Sequence, residues 1–176
     1  TKAEKKALSK KYPDAYPNGD WYTGDNVQLA VGQNVIVVTP LQLARAYAAF
    51  ANGGTVYQPH VVWKILRPNS TTTDPSDVLR VLEPVVTGTV TLPPDVRGPI
   101  ASGLEGVTSG SGTGASAFVG FDQQAFRIVG KTGTAQVDGK ADTSLFASYG
   151  PALSPKWVVA IVSRARSARC LSRAVA

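Results

Sequence analysis

Residues 128–137 read Ile128-Val129-Gly130-Lys131-Thr132-Gly133-Thr134-Ala135-Gln136-Val137, and the state assigned to this stretch decides the fold. Its Gly-Lys-Thr triplet invites a phosphate-binding loop. That loop needs Gly-x-x-x-x-Gly-Lys-Thr with the lysine opening a helix whose amides cradle phosphate. Ala125 occupies the first glycine position, and Gly133 with β-branched Thr134 follows the lysine, so a helix cannot start there and the nucleotide reading is set aside. Read instead as a strand, the segment places Lys131 and Gly133 on one face and Thr132 and Thr134 on the other. Gly133 removes a side chain where another backbone or a ligand comes close. An edge strand of this kind can pair with a peptide through main-chain hydrogen bonds. Its lysine and hydroxyls could hold a terminal carboxylate, and an amide N–H could face a developing oxyanion. The plain alternative is an ordinary edge strand whose lysine deters aggregation.

Working outward, Phe126 to Val137, Ser144 to Tyr149 and Trp157 to Ser163 read as three strands joined by turns at Asp138-Gly139 and Gly150-Pro151, an antiparallel meander. A helix is predicted over 40–51, with Thr39 as its cap, Pro40 in the first turn and Asn52-Gly53 as its stop. Leu43, Tyr47 and Phe50 mark its apolar face. Short β-rich runs follow at Thr55 to Tyr57, Val61 to Leu66 and Val78 to Leu82, with a polar loop from Pro68 to Asp77. Pro93-Pro94-Asp95 opens a second helix, in which Val96, Ile100, Leu104 and Val107 share a face and Gly110-Ser111-Gly112-Thr113-Gly114 is the stop. Gly110-x-Gly112-x-x-Ala115 superficially matches a dinucleotide fingerprint, but no strand precedes it and no βαβ unit surrounds it. Residues 1–26 read as a basic helix at about 2–11 followed by an irregular loop.

The chain has 176 residues, 43% of them hydrophobic, enough for one core. Only 17% are charged, below the roughly 25% of an average soluble domain, so much of the surface is neutral or is covered by something outside these residues. The net charge of +6 admits nucleic acid or an anionic membrane as partners. The excess, however, sits at the two ends, in Lys2, Lys5, Lys6, Lys10 and Lys11 and in Arg164, Arg166, Arg169 and Arg173, and a nucleic-acid partner is not expected. With one cysteine, Cys170, and one histidine, His60, no internal disulfide is possible and no metal site is expected. His60 reads as structural. The aromatic cluster of Tyr12, Tyr16, Trp21 and Tyr22 reads as a loop packing against another part of a larger domain rather than as a sugar platform. The apolar run Trp157 to Val162 falls far short of the roughly 20 residues needed to span a bilayer, and no signal peptide is visible.

Several ordered motifs around the 128–137 strand carry a resemblance. Lys-Thr-Gly on a strand is one of three elements of penicillin-binding proteins and class A β-lactamases. Gly24-Asp25-Asn26-Val27-Gln28-Leu29-Ala30-Val31-Gly32-Gln33, Thr39-Pro40-Leu41-Gln42-Leu43-Ala44 and Ala51-Asn52-Gly53-Gly54 resemble the segment preceding that strand in class B penicillin-binding proteins, the penicillin-binding protein 2 type above all. Ser144-Leu145-Phe146-Ala147-Ser148-Tyr149-Gly150-Pro151 and Lys156-Trp157-Val158-Val159-Ala160 continue it, so that the resemblance covers about residues 20–163. It implies an α+β transpeptidase fold like that of serine β-lactamases, an antiparallel sheet flanked by helices and incomplete in this chain. Residues 1–163 would be the C-terminal portion of a transpeptidase domain, and 164–176 a basic tail, frayed or non-native.

The implied activity is D,D-transpeptidation, the cross-linking of peptidoglycan stem peptides through a serine acyl-enzyme, with no cofactor. On this resemblance Lys131 supplies positive potential for the carboxylate of a stem peptide or a β-lactam. Thr132 and Thr134 offer it hydroxyls, Gly133 allows close approach, the Thr134 amide forms half of an oxyanion hole, and Gln136 contacts the substrate backbone. The family's other two elements are missing: no serine lies three residues before any lysine, and no Ser-x-Asn occurs. The implied partner is therefore the N-terminal part of the same transpeptidase, carrying Ser-x-x-Lys and Ser-x-Asn, and the chain alone is expected to be inactive. Asn34 also stands where the family usually has glycine, and no C-terminal helix is recognisable in 164–176. The implied location is the extracytoplasmic face of the bacterial cell membrane, with the anchor outside this chain. Two other readings stay open: a D,D-carboxypeptidase or β-lactamase-type hydrolase, and a non-catalytic binding remnant.

Overall fold

The computed structural model describes residues 2–14, 16–33, 37–136 and 141–164. Helices α1 (Lys2–Lys11), α2 (Thr23–Ala30) and α3 (Pro40–Ala51) come first, then strands β1 (Thr55–Tyr57), β2 (Lys64–Leu66), β3 (Val78–Val81) and β4 (Val86–Thr89). Helix α4 (Pro94–Thr108) leads to β5 (Val129–Ala135), β6 (Thr143–Gly150) and β7 (Trp157–Arg164). The architecture is α+β.

The last three strands form the predicted meander, an antiparallel sheet in the order β5-β6-β7. Lys131 lies opposite Ala147, Thr132 opposite Phe146, and Ala147 opposite Ala160. β5 begins at Val129 rather than at Phe126, because the backbone before it is engaged elsewhere. Phe126 N donates to Asp122 O, Ile128 N to Gln123 Oε1, and Arg127 O accepts from Ala152 N. The Gly150–Pro151 bond is cis. β7 runs one residue beyond the expected 163. The predicted turn at Asp138-Gly139, Asn34 and the tail over 165–176 with Cys170 lie outside the described residues.

Helix α3 forms where its caps predict. Thr39 Oγ1 accepts from Gln42 N at 3.2 Å while Thr39 N donates to Gln42 Oε1 at 2.8 Å, so two amides without helical partners are satisfied reciprocally. After Asn52, Gly53 adopts φ +90°. At Gly54 a Cβ would lie 2.0 Å from Val90 O, so the turn and the chain after β4 meet backbone to backbone. The face of α3 turned to the sheet is narrower than predicted. Ala49 and Ala51 are fully buried, Leu43 is half-buried, and Tyr47 and Phe50 pack beside the core of Ala51, Val129 and Tyr149. The Phe50 and Tyr149 rings stand 6.2 Å apart between centroids. Arg97 donates to Phe50 O and Ala51 O at 3.4 and 3.3 Å, neutralising the carbonyl end of α3.

For α4 the periodicity predicts four core residues, but Val96 and Ile100 are exposed. Only the C-terminal half of the helix reaches the sheet, where Leu104 joins the core and Thr108 is buried. Two elements lie outside the sequence expectation. Within the predicted loop, α2 starts with Asp25 accepting from Tyr22 N at 2.7 Å. Asp25 also pairs with Lys5 Nζ at 2.9 Å, tying α1 to α2. The second is β4, which pairs antiparallel with β1, while β2 pairs with β3. β2 is shorter than the predicted 61–66 because Val61 to Trp63 find no ladder beyond one bond, Leu82 N to Trp63 O.

Candidate active site

Strand β5 sits at an edge of its sheet, and among the described residues no strand pairs with its outer side. The carbonyls of Thr132 and Thr134 each accept from a side chain. Lys131 Nζ donates to Thr132 O at 2.9 Å, and Gln33 Nε2 to Thr134 O at 3.2 Å. In an antiparallel strand the N–H and C=O of one residue point to the same side, so the Thr132 and Thr134 amides face the open edge as well. The edge therefore presents two outward amides and two carbonyls covered only by side chains. A peptide laid along it would find a complementary pattern of donors and acceptors.

The N-terminal end of β5 is anchored from α4. Buried Thr108 donates its hydroxyl to Ile128 O at 2.7 Å, Gln123 Nε2 donates to Thr108 O at 3.4 Å, and Arg127 pairs with Glu105 at 2.9 Å. Gly130 is required by the ladder, since a Cβ there would fall 2.6 Å from Ala147 O and 2.8 Å from Ser148 Cβ. At Gly133 a Cβ would meet nothing closer than Leu145 Cβ at 3.6 Å, an ordinary contact, so the described fold does not itself demand glycine at that position. Beneath the strand, burial pushes the phenols of Tyr47 and Tyr149 above their ordinary range. At Tyr149 the Arg97 guanidinium opposes that shift and Glu105 adds to it. Both phenols are neutral near pH 7 and serve the core.

The predicted residues thus gather on one edge: Lys131, Gly133 and Thr134 exposed, Thr132 half-exposed, and Gln136 exposed just past the strand end. Among the described residues Lys131 forms no ion pair, which leaves its charge available to an anion. His60 is exposed, with Nδ1 2.7 Å from Val62 O. Tyr12 and Tyr22 are exposed, Trp21 Nε1 donates to Asn26 Oδ1, and the Tyr22 hydroxyl accepts from Asn18. Among the described residues no group of His, Cys, Asp and Glu could hold a metal ion, and no helix is long and apolar enough to cross a membrane.

Sequence reasoning passed over two neighbours of the strand. Gln33 is delivered by the end of α2, where Gly32 at φ +78° lets Gly32 N bond Leu29 O and Gln33 N bond Gln28 O. This closure satisfies the last helical carbonyls and aims the chain away from the helix. Thr113, read only as part of a helix stop, places its hydroxyl 2.6 Å from that of Thr132. A sequence separation of 101 residues in the first case leaves no local pattern by which to find the contact.

A family profile described as the penicillin binding protein transpeptidase domain matches residues 7–172. The peptidoglycan D,D-transpeptidase MrdA of Haemophilus influenzae is 29% identical over 165 residues, covering 81% of this chain and 23% of that protein. Penicillin-binding protein 2B of Streptococcus pneumoniae superposes with a TM-score of 0.66 at 28% identity, over 84% of this chain and 24% of the other. Pseudomonas aeruginosa PBP2 in complex with WCK 5153 superposes with a TM-score of 0.61 at 30% identity, over 91% and 32%. The chain spans about a quarter of the length of the curated relatives it matches.

Proposed function

Because the chain belongs to the penicillin-binding protein transpeptidase family, in its class B, penicillin-binding protein 2 type, we propose that it supplies the substrate strand of a peptidoglycan D,D-transpeptidase. The observation that carries this reading is the open edge of β5, with outward Thr132 and Thr134 backbone beside a Lys131 ammonium that forms no ion pair among the described residues. A stem peptide would lie antiparallel on that edge, its terminal carboxylate near Lys131 and the Thr132 and Thr134 hydroxyls. Gly133 leaves room above the strand, and Gln136 meets the peptide backbone farther along. As a serine attacks the penultimate carbonyl, the oxygen gains charge and the Thr134 amide donates to it. Loss of one such donor typically costs about 10²- to 10³-fold in rate. The C–N bond then breaks, the terminal residue leaves as an amine, and the ester formed on serine is resolved by the amine of a second stem peptide.

That serine, with its activating lysine, has to come from outside these 176 residues, which contain no Ser-x-x-Lys. The N-terminal part of the same domain, carrying Ser-x-x-Lys and Ser-x-Asn, is the proposed partner. β-Lactams would acylate the same serine, as in the imipenem acyl-enzyme complex of penicillin-binding protein A from M. tuberculosis, a fold neighbour. Cell-wall synthesis at the extracytoplasmic face of the membrane follows from the same reading, as does division of the chain into a transpeptidase portion over 1–163 and a basic tail over 164–176.

Denaturing mass spectrometry of the purified protein, before and after incubation with benzylpenicillin, tests the proposal. The expected result is one penicilloyl adduct on a polypeptide bearing Ser-x-x-Lys and none on this chain alone. Failure of the Ser-bearing portion to be labelled when joined to this chain would overturn the transpeptidase reading in favour of a non-catalytic remnant.

A further inference from the structure

The glycine run after α4 does more than end a helix. Gly112 N bonds Ser109 O at 3.0 Å and Gly114 N bonds Val107 O at 2.9 Å, folding the chain back over the last turn. A Cβ at Gly112 would lie 2.0 Å from Gly106 O and 2.4 Å from Val107 O, and one at Gly114 would lie 3.5 Å from Thr132 Cγ2. Only glycine permits so close a return at Gly112, and the return lays Thr113 across β5 with its Oγ1 2.6 Å from Thr132 Oγ1.

Each hydroxyl has one proton and can accept as well as donate. Between two isolated threonines the direction of the bond is free to reverse. A carboxylate at Thr132 removes that freedom, because a carboxylate only accepts. Once Thr132 gives its proton to the carboxylate, its oxygen can take part in the shared bond only as acceptor, and Thr113 has to be the donor. The result is an ordered chain, from the Thr113 hydroxyl to Thr132 Oγ1 and from the Thr132 hydroxyl to the carboxylate, in which each bond strengthens the next. We infer that Thr113 is a positioning residue of the β5 carboxylate site, orienting the Thr132 hydroxyl toward the carboxylate of a peptide or β-lactam. The inference rests on the reading of β5 given above.

The test is an NMR titration of the 15N-labelled full chain with N-acetyl-D-alanyl-D-alanine and, separately, with its C-terminal amide, following the Thr132 and Thr134 amides. Thr113→Val keeps the shape and removes the donor; Thr113→Ser keeps the donor. The expected result is a loss of affinity for the acid of about two- to tenfold in Thr113→Val, the range of one neutral hydrogen bond, with retention in Thr113→Ser and no change in any response to the amide. Equal affinity of the valine variant and the parent for the acid overturns the inference and leaves the β5 reading intact. A valine variant that weakens acid and amide alike, with shifted Val129 and Tyr149 amides before ligand is added, also overturns it, since Thr113 then only builds the loop. Lack of response at Thr132 and Thr134 in the parent chain to the acid overturns the β5 reading itself, and this inference with it.

Discussion

The three-stranded sheet and the two small two-stranded sheets are all built from short β-rich runs, yet they end in opposite states. In the sheet, β5 and β6 pair along their whole lengths, and α3 and α4 cover one end, so that Val129 and Tyr149 are 2% and 4% exposed. In the small sheets each ladder is three residue pairs long with an irregularity, and Ile65, Leu79 and Val86 are 43%, 55% and 53% exposed. Besides the packing of α3 on β1, polar bonds tie β1 and β4 to that helix: Arg45 Nε donates to Tyr57 O at 2.8 Å and its guanidinium reaches the Thr87 hydroxyl. The contrast teaches that apolar content does not decide burial. A strand becomes core only where a second layer covers it: α3 and α4 lie over β5, β6 and β7, α3 also reaches β1, and β2 and β3 pack mainly against each other.

Three substitutions would break or sharpen that contrast. The largest effect is expected for Tyr149→Ala, which empties the contact between α3 and β6 and by analogy with other buried aromatics costs about 3–5 kcal/mol. Urea unfolding followed by fluorescence measures it. Gly130→Ala should cost about 1–3 kcal/mol through overpacking, because the added methyl meets the Ala147 carbonyl and Ser148 Cβ, atoms fixed by the backbone of β6. The same unfolding curve, with the Thr132 amide followed by NMR, separates global loss from local distortion of the edge. The smallest effect belongs to Trp63→Ser, expected within about 0.5 kcal/mol, as for exposed positions generally. Should Trp63→Ser cost as much as Gly130→Ala in thermal melts, β2 and β3 are integral to the core and the contrast fails.

Much of the fold was legible because it is written in local chemistry. Thr39, Pro40, Gln42 and Asn52 bracket α3 through bonds spanning three or four residues, and β-rich runs with turn residues between them mark the meander. What escaped was settled at a distance. Helix α2 is tied to α1 by the ion pair of Asp25 with Lys5 twenty residues earlier, and β4 exists because β1 lies beside it. Val96 and Ile100 have the right spacing for a buried face, but among the described residues both stay exposed.

The candidate site divides in the same way. Lys131, Thr132, Gly133 and Thr134 could be read as an edge strand from their own pattern and from the failure of the phosphate-loop alternative. That Gln33 covers the Thr134 carbonyl, and that Thr113 reaches the Thr132 hydroxyl, depends on where α2 ends and how the glycine run folds over α4. The sequence by itself determined which residues carry donors, acceptors and charge, and in which local conformation. Only the tertiary structure decided which of those groups meet, because a hydrogen bond forms within about 3 Å in space and the residues it joins here are separated by 19 and 101 positions along the chain.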